Sequence, residues 1–315
     1  MIIDLSDEAT EYGRVARQAF EAAGGDRLVQ DAERDPDRRG DLVAPVLAEL
    51  GAWDLAPRAS ADELEAAAAL CRSAGHWALP YPVAERLARP TDLDADGLIV
   101  IGDRGALGAV AGLDLAWVAV GVDGRRSRAH AGPLTDARTS AFTTDLHLEP
   151  IDDAGRDDVA LGLVLPCWTL LGMLDRAIAL TRTHVLEREQ FGQPLASFQG
   201  VQFQLTEAEV ERSGLEVLAL YALWSIEVGR DEALDDALAL RLAAIEAADT
   251  VFRVTHQLHG AIGFCDEAPL SWLSRSSRPL RRLPFGRSAT GDLLARRLDR
   301  DGLTGLFHDE RRAPV

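Results

Sequence analysis

The sequence predicts a mainly α-helical protein with a small β domain, and three observations support this fold class. Segments with apolar residues at helical spacing dominate both ends of the 315-residue chain. Short β-prone runs bounded by glycine and aspartate occupy the middle. The later helical segments follow one another over short connections, which predicts an antiparallel bundle. We therefore expect an N-terminal helical domain over residues 1–90, a reduced β domain over 91–155 and a C-terminal four-helix bundle over 156–315.

The N-terminal helices are predicted from apolar periodicity and from the residues that end each segment. Residues 7–23 carry apolar side chains along one helical face. Further helices are predicted over 42–51, where Gly51 suits the C-cap, and over 62–75, after which two prolines end the pattern. The acidic, Gly- and Arg-rich stretch 24–40 is predicted to interrupt the helices.

Apolar periodicity also predicts the middle and C-terminal elements. Residues 98–101 and 116–120 are predicted strands, and a weaker alternation surrounds Leu146. From residue 159 onward the helical pattern is long and nearly continuous. We predict helices over 159–187, 198–229, 232–259, 268–278 and 289–300.

The charge composition excludes several functional classes. The net charge of −18 argues against a nucleic-acid partner, because a phosphate backbone is bound by basic surfaces. The sequence contains no lysine, so chemistry that needs a lysine base or a lysine Schiff base is excluded.

The distribution of apolar residues and cysteines predicts a cytoplasmic protein. The most apolar window, 159–178, is interrupted by a proline and two charged residues, so we expect no membrane span. The first residues lack the features of a signal peptide. Cys71, Cys167 and Cys265 are widely spaced in apolar helical patterns and lack metal-ligand spacing. We expect them to be reduced and mostly buried.

Two segments contain residue types that suit a phosphate-bearing cofactor. The first is Arg188-Glu189-Gln190-Phe191-Gly192 with Phe198-Gln199-Gly200, and the second is Gln257-Leu258-His259-Gly260-Ala261-Ile262-Gly263-Phe264. An arginine can donate charge-assisted hydrogen bonds to a pyrophosphate, and glycine lets backbone amides approach its oxygens. Glutamine amides can bind ribityl, adenine or phosphate groups. Taken singly, each segment also fits a structural role, as a helix-terminal arginine or a C-capping glycine.

Together the two segments resemble the "RxxFG…fQ" and "QxxGGxGF" motifs of the acyl-CoA dehydrogenase family. The resemblance is strongest over residues 159–295, and over the first 150 residues it concerns only the order of helices and strands. Ala261 stands where the family usually has a second glycine. The resemblance implies that eight residues contact FAD: Arg188, Gln190, Phe191, Gly192, Gln199, Gln257, Gly260 and Ala261.

The family's other functional residues are missing from this sequence. In the family, both motifs bind the ADP end of an FAD whose flavin ring lies in the neighbouring subunit. The "TExxxGSD"-like loop and "KxWIT"-like strand that hold the ring are absent here. By ungapped counting, the glutamate that removes the substrate α-proton falls at Gly162 or Pro284, and neither residue is a base.

The resemblance therefore implies a shortened, non-catalytic subunit of the bacterial heterotetrameric (α2β2) type. Such a subunit completes the FAD site of a catalytic partner, which binds the acyl-CoA. The implied reaction is α,β-desaturation of a bulky acyl-CoA, with steroid side chains among the candidates, followed by FAD reoxidation by an electron-transfer flavoprotein. Two alternatives stay open: an autonomous homo-oligomeric flavoenzyme with an unrecognised base, and a purely structural subunit without cofactor.

Other residue groups in the sequence are also functional candidates. Asp157 and Asp158 could supply a base, but a charge cluster at a helix N-terminus is the favoured interpretation. His256 and His259 share a helical face, yet no third metal ligand accompanies them. The tryptophans are expected in the core. A cluster of arginines could face the phosphates of CoA or FAD, the acidic surface of a partner, or solvent. It comprises Arg275, Arg278, Arg281, Arg282 and Arg287.

Overall fold

The N-terminal helices form where apolar residues recur at helical spacing. The computed structural model describes residues 4–103 and 105–301. Ser6 and Ser60 begin the first and fourth helices, because each hydroxyl accepts a hydrogen bond from a backbone amide three residues later. The predicted helices over 7–23, 42–51 and 62–75 are confirmed. The N-terminal helices are α1 (Asp7–Ala22), α2 (Asp26–Arg34), α3 (Arg39–Glu49), α4 (Ala61–His76) and α5 (Val83–Leu87).

The stretch 24–40 ends α1 as predicted, but it also contains structure that the sequence analysis missed. It holds α2 and a 3₁₀ turn, Pro36–Arg38. α2 buries Leu28, Val29 and Ala32, and its other residues are polar or charged. Because the buried face has only three residues, the apolar pattern is too weak to predict a helix in this charged segment. Packing against the core stabilises the helix instead.

A five-stranded sheet follows the N-terminal helices. Its spatial order is β1-β3-β4-β5-β2; β1 and β3 are parallel, and the other paired strands are antiparallel. The strands predicted over 98–101 and 116–120 are confirmed, and the alternation around Leu146 lies in β5. The strands are β1 (Gly97–Ile101), β2 (Leu107–Gly108), β3 (Trp117–Gly121), β4 (Arg125–Ala131) and β5 (Thr144–Ala154), with a short helix, α6 (Ala137–Ser140), before β5.

β4 was not predicted, although it lies inside the sheet. Its sequence, Arg-Arg-Ser-Arg-Ala-His-Ala, has no apolar alternation. Its backbone pairs with β3 on one side and β5 on the other, so the ladder hydrogen bonds determine its conformation. The two faces of the sheet differ: Leu98 and Val120 join the main core, whereas Ile99 and Trp117 belong to a second, smaller cluster.

The C-terminal part is a helical bundle, as predicted. α8 runs back along α7, and α9 returns, so the C-terminal ends of α7 and α9 lie at the same end of the bundle. All five predicted helices are confirmed within a few residues. The elements are α7 (Arg156–Glu187), β6 (Glu189–Gln190), β7 (Gln193–Pro194), α8 (Gln199–Glu227), α9 (Ala233–His259), α10 (Pro269–Ser276), α11 (Arg278–Arg282) and α12 (Arg287–Asp301).

The helix α7 lies at the centre of the protein. Its length and composition would allow it to cross a bilayer, but 67% of its most apolar window is buried inside the fold, as in a core helix. It crosses α4 in direct backbone contact, since a Cβ on Gly172 would lie 1.9 Å from the Arg72 carbonyl oxygen. A Cβ on Gly75 would likewise lie 1.8 Å from the Thr169 carbonyl oxygen. These two glycines bring the N-terminal helices and the bundle into one core.

Candidate functional site

The structure brings the two cofactor-like segments together at one end of the bundle. Arg188 is the C-cap residue of α7, and Gly260 is the C-cap residue of α9. The rings of His184 and His259, which lie just before these caps, stack with centroids 4.5 Å apart and planes 13° apart. The ends of α7 and α9, from which the two segments begin, therefore lie side by side although they are about seventy positions apart in the sequence.

The first segment forms a tight β-hairpin beyond the end of α7. Phe191 and Gly192 occupy its two turn positions, with φ of 54° and 80°. Two successive positive φ angles are the signature of a type I′ turn, which suits a two-residue hairpin loop. The Leu195 amide donates a hydrogen bond to the Arg188 carbonyl oxygen at 2.8 Å and closes the hairpin. The segment is thus a defined structure and not a simple helix stop.

The side chains of this segment point to solvent. The Arg188 side chain forms no ion pair within residues 4–103 and 105–301, and it is exposed together with Gln190. Phe191 is 91% exposed, and its ring contacts Phe198 edge-on at 6.2 Å between centroids. Gln199 is also exposed, at the start of α8. An unpaired guanidinium and open amides at one end of a protein can bind an external anion.

The second segment borders a surface groove of about 460 Å³. Gln257 and Gly260 line it, and Ala261 is exposed in the 3₁₀ turn Gly260–Phe264 that follows. Gly260 has a φ of 63°, a positive angle that favours glycine at a helix C-cap whether or not a ligand binds. The groove also contains Arg253 and Arg281, whose charges are partly compensated by Glu207 and Asp249 at 2.8 and 3.1 Å.

Three histidines at this end of the bundle have lowered pKa values. Burial lowers the pKa of His184, and the nearby Arg188 guanidinium lowers it further. Burial also lowers the pKa of His256, helped by His259 and Arg281. For His259, burial lowers the pKa more than its hydrogen bond to the Thr255 carbonyl raises it. A lowered pKa favours the neutral imidazole, and two neutral imidazoles can stack without charge repulsion.

The two positions of the family's base line the same small cavity. Gly162 and Pro284 both border a space of about 60 Å³. A Cβ at Gly162 would lie 2.6 Å from Val100 Cγ2, so β1 fills the room that a longer side chain would need. The buried Arg241 donates hydrogen bonds to the carbonyls of Leu280 and Phe285, at 3.1 and 2.8 Å, which fixes the segment that contains Pro284.

The sequence analysis missed one carboxylate in this cavity, Glu85. It lines both this cavity and a neighbouring one of about 70 Å³, and it is half-buried. Burial raises the pKa of Glu85, and the Arg39 guanidinium opposes that effect. Arg39 is only 1% exposed and donates long hydrogen bonds to two backbone carbonyls. Nothing in the five-residue helix α5 marks Glu85 as special, because only the tertiary fold places it there.

Comparison with known proteins gives a match over the C-terminal bundle, which contains both segments. Residues 164–289 match the family model of the acyl-CoA dehydrogenase C-terminal domain. The match extends from within α7 to the start of α12. The acyl-CoA dehydrogenase FadE28 of Mycobacterium tuberculosis is 31% identical over 126 residues, which are 40% of this chain and 37% of that relative. The matched segment thus spans little more than a third of that curated relative.

Solved structures resemble nearly the whole chain. The Tcur3481-Tcur3483 steroid ACAD G363A variant has a TM-score of 0.77 at 21% identity, covering 96% of this chain and 100% of that chain. The ChsE4-ChsE5 complex from Mycobacterium tuberculosis has a TM-score of 0.74 at 18% identity, covering 95% and 99% of the two chains. The protein therefore has the acyl-CoA dehydrogenase fold, with its N-terminal helices, small sheet and C-terminal bundle all present.

The exposed residues at the bundle end fit the ADP half of FAD. Arg188 can pair with the pyrophosphate, and Gln190 and Gln257 offer both a donor and an acceptor to the adenosine. No atom outside the immediate backbone lies within 4 Å of a Cβ built on Gly192 or Gly260, so their backbone is open to a ligand. FAD supplies hydride acceptance at its flavin ring when it is bound; the residues named here would hold only its opposite end.

The remaining candidates have structural roles. Asp158 is buried and pairs with Arg126 at 2.5 Å and Arg58 at 2.7 Å, so it forms the expected charge cluster and is not free to act as a base. Cys71 and Cys167 are buried, whereas Cys265 is exposed. Within the described part of the chain, no group of three His, Cys, Asp or Glu side chains could hold a metal ion.

Ion pairs and burial also account for most of the arginine cluster and for the tryptophans. Arg275 pairs with Asp266, Arg281 with Asp249 and Arg287 with Glu246, so intramolecular carboxylates neutralise most of the cluster. Arg278 and Arg282 are exposed. Four tryptophans are buried as predicted: Trp77, Trp117, Trp168 and Trp272. The other two, Trp53 and Trp224, are half-buried.

Proposed function

We propose that this chain is the non-catalytic subunit of a heteromeric FAD-dependent acyl-CoA dehydrogenase of the α2β2 type. The observation that carries the proposal is that the helices preceding the two FAD-type segments end side by side, with both segments exposed. Arg188, Gln190 and Gln257 have side chains available to an external ligand there. In the complex they hold the pyrophosphate and adenosine of an FAD whose ring lies in the catalytic partner.

The interior of this chain supports a non-catalytic role. Ligand pockets for small molecules usually measure about 300–1,000 Å³. The cavity that contains Gly162 and Pro284 measures about 60 Å³, which leaves no room for an acyl thioester. The carboxylate that the reaction needs is then supplied by the partner, and this chain alone is inactive.

The reaction and its partners follow from the family. The complex removes an α-proton and a β-hydride from a bulky acyl-CoA bound in the partner, and an electron-transfer flavoprotein reoxidises the FAD. A steroid side chain is the acyl group we favour, because the similar structures include one described as a steroid ACAD. We place the complex in the cytoplasm.

The test is co-expression of this chain with the product of the adjacent gene, followed by measurement of FAD in the purified complex. Arg188→Ala removes one charge-assisted contact worth about 1.5–3 kcal/mol, so FAD should bind roughly 10- to 100-fold more weakly. Arg182→Ala is the matched control, because Arg182 is exposed on the same helix but lies outside the two segments. Unchanged FAD retention in Arg188→Ala would favour a purely structural subunit.

Glu85 supports one competing function, an autonomous flavoenzyme that uses this carboxylate as its base. Its raised pKa and its position beside Gly162 and Pro284 are the features a base would have. That function requires the two small cavities to open into one substrate cleft. It predicts a yellow, active protein when this chain is expressed alone, and loss of the activity in Glu85→Gln. A colourless, inactive lone chain would exclude it.

A further inference from the structure

The stack of His184 on His259 joins the ends of α7 and α9, next to the two candidate cofactor-binding segments. His184 lies one helical turn before Arg188, and His259 directly precedes Gly260. Their rings are nearly parallel, with centroids 4.5 Å apart. Stacked rings at this separation contribute about 0.5–1.5 kcal/mol beyond the area that they bury.

The His259 ring is oriented by its own helix. Its Nδ1 lies 2.9 Å from the Thr255 carbonyl oxygen, to which it donates a hydrogen bond, and 3.4 Å from the Thr181 hydroxyl of α7. A neutral imidazole that donates through Nδ1 has no proton on Nε2, so the tautomer and the plane of the ring are both defined. His259 therefore presents a fixed flat surface to α7.

The last turn of α7 itself has few buried side chains. Val185 is the last buried residue of the helix, and every residue from Leu186 to Gln193 is exposed. A helix end with few buried contacts frays readily, which would move the hairpin and Arg188 together. Apart from Val185, the ring of His184 provides the last inward contact before the hairpin.

We propose that His184 and His259 are positioning residues that set the location of Arg188 relative to Gln257 and Gly260. This inference rests on the proposed function, since it concerns how both segments reach the same pyrophosphate. Neither histidine needs to touch the cofactor. The stack acts by keeping the guanidinium and the amide donors in one arrangement before FAD arrives, which lowers the ordering cost of binding.

The experiment measures FAD affinity of the co-expressed complex carrying His184→Ala or His184→Phe. Loss of the stack should weaken FAD binding roughly 2- to 10-fold in His184→Ala. Phenylalanine keeps a flat ring that can stack on His259, so His184→Phe should restore most of the affinity. Equal loss in both variants would overturn the inference, because it would show that the planar ring does not matter.

A double-mutant cycle supplies the second measurement. If the two rings act through each other, His184→Ala combined with His259→Ala should cost no more than the larger single effect. Additive losses would show independent roles and would also overturn the inference. Urea unfolding of each complex checks that the subunits still fold.

The Arg188→Ala complex separates this inference from the proposed function. FAD depletion in Arg188→Ala with normal FAD in His184→Ala would refute only the positioning role. Normal FAD in both variants would refute both proposals. Depletion in both, with recovery in His184→Phe, is the expected result.

Discussion

Restoring a side chain at Gly162, one of the family's two base positions, should destabilise the protein and not create activity. A Cβ at this position would lie 2.6 Å from Val100 Cγ2 and 3.2 Å from Leu98 Cδ2. Both neighbours are buried in β1, at 6% and 1% exposure, and Val100 has a branched side chain with few allowed rotamers. Neither neighbour can move aside freely.

The magnitude follows from two opposing effects. Overpacking a tight core costs about 1–3 kcal/mol. Replacing a helical glycine by alanine recovers about 0.4–1 kcal/mol by restricting the unfolded chain. We therefore expect Gly162→Ala to lower the free energy of unfolding by about 1–2 kcal/mol. Gly162→Glu should lower it further, because it adds a second carboxylate to a small cavity that the half-buried Glu85 already lines.

The assay is equilibrium urea unfolding, with Gly214→Ala as the matched control. Gly214 lies in the helix α8, and no atom comes within 4 Å of a Cβ built on it, so alanine should stabilise the protein by about 0.4–1 kcal/mol. A Gly162→Glu variant that keeps wild-type stability, and that desaturates an acyl-CoA without a partner, would refute the reasoning. It would mean that the internal cavity opens into a latent active site.

Three further predictions concern stability. His76 has its pKa lowered from 6.5 to about 3, by burial and then by nearby arginines. Its stabilising contribution is therefore present above pH 6.5 and is lost as the pH falls from 6.5 toward 3. The free energy of unfolding should fall by up to about 1.4 kcal/mol per pH unit in that range. Urea midpoints measured across the range should show this pH dependence, and His76→Gln should reduce it. Asp158→Ala should cost about 3 kcal/mol, because it leaves Arg126 buried with one fewer carboxylate; a cost under about 1 kcal/mol would contradict a structural role for the pair. Gly172→Ala should prevent folding at physiological temperature, since its Cβ would meet backbone of α4 that cannot rotate away, and a folded variant by circular dichroism would show that the two helices can separate.

The candidate site was predicted residue by residue, but its arrangement was not. The type and approximate position of Arg188, Gln190 and Gln257 follow from the motifs and from the helix ends around them. That the two segments meet through His184 and His259 follows only from the path of α8, which returns the chain so that α7 and α9 end together. Glu85 was missed for the same reason, because its cavity is built from residues distant in the sequence.

The sequence by itself determined the long helices, the order of helices and strands, and the absence of a base at Gly162 and Pro284. Apolar spacing is a local property, so it marks a helix wherever the buried face is wide. Only the tertiary structure decided that α2 and β4 form, since one has a narrow buried face and the other relies on ladder hydrogen bonds from both neighbours. The tertiary structure likewise decided that β1 fills the space beside Gly162, because packing brings distant residues together and no local pattern records which of them will meet.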